Sequence, residues 1–90
     1  MLFMTIAAYE PEKRNEIIKR RAEKGTLVPK GVKIINEWAA VGGGRVFRLI
    51  DVEDPKAGYE GALAWSDLCK IEIIPVLEVE EAMKLVPKKL

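Results

Sequence analysis

The apolar positions of the chain change period from segment to segment. Leu2 to Ala8 is an apolar run of seven residues, the length of a strand rather than of a helix. It ends at Tyr9-Glu10-Pro11, and Pro11 suits the first position of a helix, where the missing N–H has no partner to lose. Pro11 to Lys24 is rich in Glu, Lys and Arg, all good helix formers, with Ile17, Ile18 and Ala22 grouped on one face. Gly25 follows as the C-terminal cap. After a loop from Thr26 to Gly31 with Pro29, a second strand is expected over Val32–Val41 and a third over Arg45–Val52. Gly42-Gly43-Gly44 joins the two as a hairpin turn. Asp54 as N-cap and Pro55 as first residue open a second helix running to about Ser66. Lys70–Leu77 is the fourth strand, with Pro75 placing it at an edge or a bulge, and Glu80–Val86 is a short helix stopped by Pro87.

The order is β-α-β-β-α-β with a helical tail, an α+β, ferredoxin-like arrangement in one domain over residues 1–90. Such a sheet carries both helices on one face. In the first strand Leu2, Met4, Ile6 and Ala8 form one face, and Phe3, Thr5, Ala7 and Tyr9 the other. The fourth strand gives Ile71 and Ile73 against Ile74 and Val76. A sheet apolar on both sides has both sides buried. The helices cover one, and the chain has no strand left over for the other. A homodimer packed sheet against sheet is therefore expected.

Composition sharpens that expectation. A domain of 90 residues buries a modest share of its surface, yet 49% of the residues are hydrophobic, which calls for a partner surface. Fifteen basic residues against fourteen acidic ones give a net charge of +1, without the basic surplus of a nucleic-acid binder. Lys19, Arg20, Arg21 and Lys24 come nearest to a basic patch, but Glu16 and Glu23 interrupt it, so it reads as a solvated helix face. The single cysteine, Cys69, permits no internal disulfide and fits a reducing compartment. No apolar run approaches the ~20 residues of a membrane span, and the start of the chain lacks the basic region of a signal peptide. A cytoplasmic location is expected by elimination. The abundance of Glu and Lys is thermophile-like.

Trp65-Ser66-Asp67-Leu68, followed by Glu72-Ile73-Ile74-Pro75-Val76, resembles a family of small prokaryotic proteins classed as a domain of unknown function. Met1 to Met4, the Gly43-Gly44-Arg45 turn and Asp54-Pro55 are similar too, so the resemblance spans nearly the whole chain. It implies membership of the dimeric α+β barrel superfamily, in which the sheets of two ferredoxin-like subunits form a barrel. It carries over no catalytic residue. The superfamily holds cofactor-free monooxygenases, isomerases, haem enzymes and ligand-sensing domains, and fold alone does not choose among them.

The residues themselves narrow the chemistry. The chain has no histidine, which removes the commonest general base, metal ligand and haem ligand. No metal and no cofactor are expected. The three glycines lead into a strand rather than a helix, so they read as a turn and not as a phosphate loop. Polar residues inside strands are more informative. Asn36 alternates with Ile34 and Trp38 in the second strand, and Arg48 with Val46 and Ile50 in the third. If one face carries both and lines the barrel, Asn36 and Arg48 can hydrogen-bond a small ligand that Trp38 walls in. The plainer alternative pairs Arg48 with Glu37 or Glu72 at the dimer interface. Asp67 can act as a general base if Trp65 desolvates it, or it can pin the helix-to-strand turn through backbone hydrogen bonds. Trp65 reads as core or interface. Lys70 beside Cys69 can lower the thiol pKa, though a small buried hydrophobe is the simpler role.

In the second helix Ala57, Gly58, Gly61, Ala62 and Ala64 leave it lean on nearly every side. Two glycines cost about 1 kcal/mol each relative to alanine. Small residues on an outer face would admit another helix, giving a second self-association surface, natural or engineered, and an assembly above the dimer. The expected function is that of a self-assembling domain with a small ligand in the intersubunit barrel or a role as an assembly subunit. The alternative is a cofactor-independent, monooxygenase- or isomerase-like enzyme using Asn36, Arg48 and Asp67 with Trp38.

Overall fold

The computed structural model describes residues 1–87. Its strands are β1 (Leu2–Ala8), β2 (Val32–Ala39), β3 (Arg45–Val52) and β4 (Lys70–Pro75), and its helices α1 (Arg14–Lys24), α2 (Pro55–Leu63) and α3 (Val79–Met83). The sheet is antiparallel in the order β2-β3-β1-β4, the ferredoxin-like topology. Residues Pro11–Lys13 form a 3-10 turn that leads into α1, so the helix begins with the proline where its sequence placed it. Gly25, at φ 73°, ends α1 by donating its N–H to the carbonyl of Arg21 at 2.9 Å. The Asp54 carboxylate accepts from the Lys56 N–H at 2.9 Å and caps α2. The glycine turn closes with Gly43 and Gly44 at positive φ and Ala40 N–H donating to Arg45 O at 2.9 Å.

Several boundaries differ from expectation, among them that of β4, which ends at Pro75 rather than Leu77. β2 stops at Ala39 rather than Val41, because Ala40 and Val41 are drawn into the hairpin turn. α2 ends at Leu63, and residues 64–68 continue as turns in which the N–H groups of Leu68 and Cys69 both reach the carbonyl of Trp65. α3 begins one residue early and ends at Met83. β4 is an edge strand, and Pro75 closes it opposite Phe3, where no further ladder bond is asked of it.

A larger difference lies inside β2. Ile34 stands opposite Ile50 and Asn36 opposite Leu49, so Ile35 is an unpaired extra residue, a β-bulge. A shift of one residue exchanges the faces. Before the bulge Val32 and Ile34 share the side of Ile50; after it Glu37 and Ala39 share the side of Arg48 and Val46, while Asn36 and Trp38 turn to the side of Leu49 and Phe47. Asn36 and Ile34 therefore do not lie on one face as strict alternation requires.

Both α1 and α2 pack on the face formed by Thr5, Val46, Arg48, Ile50, Ile71 and Ile73. The core there is thin: Ile50, Val52, Trp65 and Leu68 are the buried apolar residues among those described. Gly58 sits where an added Cβ would lie 3.7 Å from Val52, and Gly61 where it would lie 3.3 Å from Pro29. The small residues of α2 thus serve close packing onto the sheet and the preceding loop. Gly58 and Gly61 point inward, and the large side chains that α2 exposes are Tyr59 and Leu63.

The opposite face carries Met4, Ile6, Phe47, Leu49, Trp38 and Ile74 and receives neither α1 nor α2. α3 has no extensive contact with any strand. Trp38 is 45% exposed and Ile74 41%. The molecule is only 17 Å thick, one sheet and one helix layer, and it exposes 6865 Å². A compact chain of 10.1 kDa exposes about 5,300 Å². Among the described residues no helix is long and apolar enough to cross a membrane.

Candidate functional site

Between the sheet and its two helices lies an apolar cavity of about 130 Å³. It exists because small residues meet small residues. Thr5 and Ala7 form the middle of the floor, and Gly58, Gly61 and Ala62 form part of the roof. Ile17 of α1, Ile71 and Ile73 of β4 and the Trp65 ring complete the walls. Trp65 is fixed in place: it is 8% exposed, and its Nε1–H donates to the Thr26 carbonyl at 3.1 Å. It is a core residue, as the simpler sequence reading held.

Arg48 rises from β3 at one end of this cavity, with Arg21 of α1 above it. Glu37, brought to the helix side by the bulge, binds both. Its Oε2 accepts from Arg48 Nε at 3.0 Å and from Arg21 Nη1 at 3.0 Å, and its Oε1 accepts from Arg21 Nη2 at 2.9 Å. The two guanidiniums hold the Glu37 carboxyl below its usual range, Arg21 through its hydrogen bonds first and Arg48 second. The pairing of Arg48 with Glu37 expected from sequence is present, within one chain and on the helix side rather than on the open face.

Asp67 stands elsewhere. Its two carboxylate oxygens accept from Arg20 Nη1 and Nη2, each at 2.7 Å, a bidentate pair on the surface. Arg20 also donates to the Ala64 carbonyl at 2.8 Å and lies over the Trp65 ring, 5.6 Å from its centre. The hydrogen bonds from Arg20 lower the Asp67 pKa to about 2. Of the two readings of Asp67, the desolvated base with a raised pKa is the one the geometry opposes: Asp67 is more than half exposed and strongly ionised. Its part is to lock the turn after α2 to α1. For Cys69, burial, and then the Asp67 charge, push the thiol up, opposite to the lowering that a neighbouring Lys70 suggests and in keeping with the simpler reading of a small, partly buried hydrophobe.

Asn36 and Trp38 project from the open face, opposite Leu49 and Phe47. The Asn36 side chain accepts from the Glu37 N–H at 2.9 Å, at the bulge. So the four residues singled out in the sequence occupy three places: Arg48 at the cavity, Asn36 and Trp38 on the open face, Asp67 on the outer surface of the α2–β4 turn. The constellation behind the enzymatic alternative is not assembled. What sequence reasoning missed is Arg21 as a second partner of Glu37, and the helix-side placement of Glu37. Its signal was the Ile34-Ile35 doublet, which breaks the alternation of β2 and moves Glu37 to the inner face. The two arginines of the basic run in α1 are engaged in ion pairs, Arg20 with Asp67 and Arg21 with Glu37. Among the described residues no three potential metal ligands cluster.

Residues 1–90 match the family described as a domain of unknown function (DUF3303). No curated protein matches the chain.

Proposed function

The chain belongs to the DUF3303 family, and from that premise we propose that it is a self-associating domain whose two copies pack sheet against sheet, as in a dimeric α+β barrel. The observation that carries this reading is the uncovered apolar face. Met4, Ile6, Phe47 and Leu49 occupy the two central strands there, and Trp38 and Ile74 flank them on the edge strands. The chain as a whole, 52 Å long and 17 Å across its thinnest direction, exposes about 1,600 Å² more than a compact chain of its mass, and the open face is one part of that excess. Two such sheets stack about 10 Å apart, which closes the face that one chain leaves open. The exposed Leu77, Val79 and Met83 beyond β4 add apolar surface beside it.

A second copy is the simplest occupant, because the face is apolar along its two central strands, carries charges of both signs on its edge strands (Glu72 and Lys70 on β4, Lys33 on β2), and can be self-complementary about a two-fold axis. The functional unit is then the dimer, with Trp38 and Asn36 inside the intersubunit space. Gly58 and Gly61 of α2 argue for no further interface, since they face inward.

Sedimentation velocity on two sets of variants locates the interface. Leu49→Lys puts a charge at the centre of the open face and should convert the dimer to the smaller species. Tyr59→Lys combined with Leu63→Lys alters the exposed side of α2 and should sediment as the wild type does. The opposite pattern would move the interface to α2 and end this reading.

A further inference from the structure

The cavity between the sheet and the helices lies within one chain, apart from the open face, and nothing in the dimer argument uses it. Its lining is almost wholly apolar, yet the only ionised side chains on it are Arg21 and Arg48. Glu37 neutralises one of these two charges, so the end of the cavity keeps a net positive charge. Glu37 takes the Nε edge of Arg48. Among the described residues the two terminal nitrogens of that guanidinium have no hydrogen-bond partner. The Arg48 side chain is nevertheless only 15% exposed. A guanidinium that is mostly buried, yet keeps its two terminal nitrogens open to solvent beside an apolar space, matches the geometry of a carboxylate.

Size restricts the remainder. The space is about 130 Å³, and an apolar cavity of about 150 Å³ accepts benzene. The body of the ligand is therefore one ring or a short chain. We propose that this cavity binds a small apolar monocarboxylate of about the size of benzoate or hexanoate. The carboxylate lies on Arg48 and Arg21, and the body lies between Ile71 and Ile73 of the floor and Ala62 and Trp65 opposite. Such a site is consistent with the small residues that hold it open. Larger side chains at Ala7 or Ala62 would have filled the space and removed the cost of leaving it unpacked.

The test is isothermal titration of benzoate, hexanoate and the neutral benzyl alcohol into the full chain. The proteins are the wild type, Arg48→Met, Arg21→Met and Ala62→Leu, each checked for cooperative urea unfolding. At least one carboxylate should bind the wild type, and benzoate should bind more tightly than benzyl alcohol. Loss of a charge-assisted hydrogen bond should weaken carboxylate binding about tenfold or more in Arg48→Met, with benzyl alcohol little changed. Ala62→Leu should weaken benzoate and benzyl alcohol alike, because it removes space and not charge. Arg21→Met, at the more exposed arginine, serves as the charge variant if Arg48→Met fails to fold. Three results would overturn the proposal: neither carboxylate binds the folded wild type at millimolar concentration, benzyl alcohol binds as well as benzoate, or the arginine variants leave carboxylate affinity unchanged. A sedimentation run on the same samples keeps this outcome separate from the fate of the dimer.

Discussion

Replacing Gly58 by alanine tests how α2 is seated. Gly58 lies inside the helix, three residues after Pro55, and a helix-interior glycine is about 1 kcal/mol less favourable than alanine. The added methyl would lie 3.7 Å from Val52 Cγ1 and 3.9 Å from Cγ2, ordinary contact distances. It clashes with nothing and adds a little buried apolar surface. Gly58→Ala is therefore expected to stabilise the domain by about 1 kcal/mol, which corresponds to a rise in Tm of roughly 4–8 °C for a domain of this size. Gly61→Ala is the internal comparison. The same propensity gain applies, but the methyl would lie 3.3 Å from Pro29 Cδ, a contact that needs α2 or the loop to yield. Its net effect should be smaller, near zero or slightly destabilising. Urea unfolding of both variants at one fixed protein concentration gives the comparison, since self-association makes stability concentration-dependent. Both should keep the oligomeric state of the wild type. If Gly58→Ala is destabilising by more than Gly61→Ala, the helix sits closer to Val52 than the structure has it. If either substitution breaks the assembly, the glycines face a partner and not the sheet.

Three further outcomes follow from the ion pairs and the core. Glu37→Gln removes the negative charge shared by Arg21 and Arg48 and turns one of its two acceptor oxygens into a donor, leaving a mostly buried guanidinium uncompensated; a loss of about 1–3 kcal/mol is expected in urea unfolding, and a loss below about 0.5 kcal/mol would deny Glu37 its role as hub. Asp67 has a folded pKa of about 2 against a usual 3.8. Its pairing with Arg20 therefore contributes stability that is complete above the usual value and disappears as pH falls through the folded one. The stability difference between wild type and Asp67→Asn should stay constant from neutral pH to about 4.5, fall steeply towards pH 2 and vanish about one unit below it; a difference that persists there would assign the effect to packing. Trp65→Phe loses the bond to the Thr26 carbonyl and part of the cavity wall, at a cost of about 1–3 kcal/mol read by thermal unfolding at fixed concentration; an unchanged Tm would show that the indole N–H anchors nothing.

Much of this arrangement is legible in local rules. The proline and Asp54 fix where α2 starts, Gly25 fixes where α1 ends, and the glycine triplet fixes the β2–β3 hairpin, each through backbone geometry that one residue decides. The β-α-β-β-α-β order then leads to the sheet order through connection length and handedness. The candidate site is less legible because it depends on one inserted residue. Strict alternation puts Asn36 with Ile34, and the bulge at Ile35 reverses every side chain after it, taking Asn36 and Trp38 to the open face and Glu37 to Arg48. The role of Asp67 was set by a long-range neighbour. Arg20 is 47 residues away from Asp67 in sequence, and no local pattern announces that their side chains meet. The small residues of α2 were ambiguous for the same reason, since composition shows that something approaches closely but not whether it is Val52 and Pro29 or another molecule.

The most direct test of the central claim is the mass of the wild-type protein by sedimentation equilibrium over a wide range of concentrations. Closure of the open face by a second copy predicts twice the chain mass of 10.1 kDa, held as concentration falls well into the micromolar range. A mass of 10.1 kDa at every concentration would contradict it, and would mean that Phe47, Leu49 and Trp38 face water or some other partner.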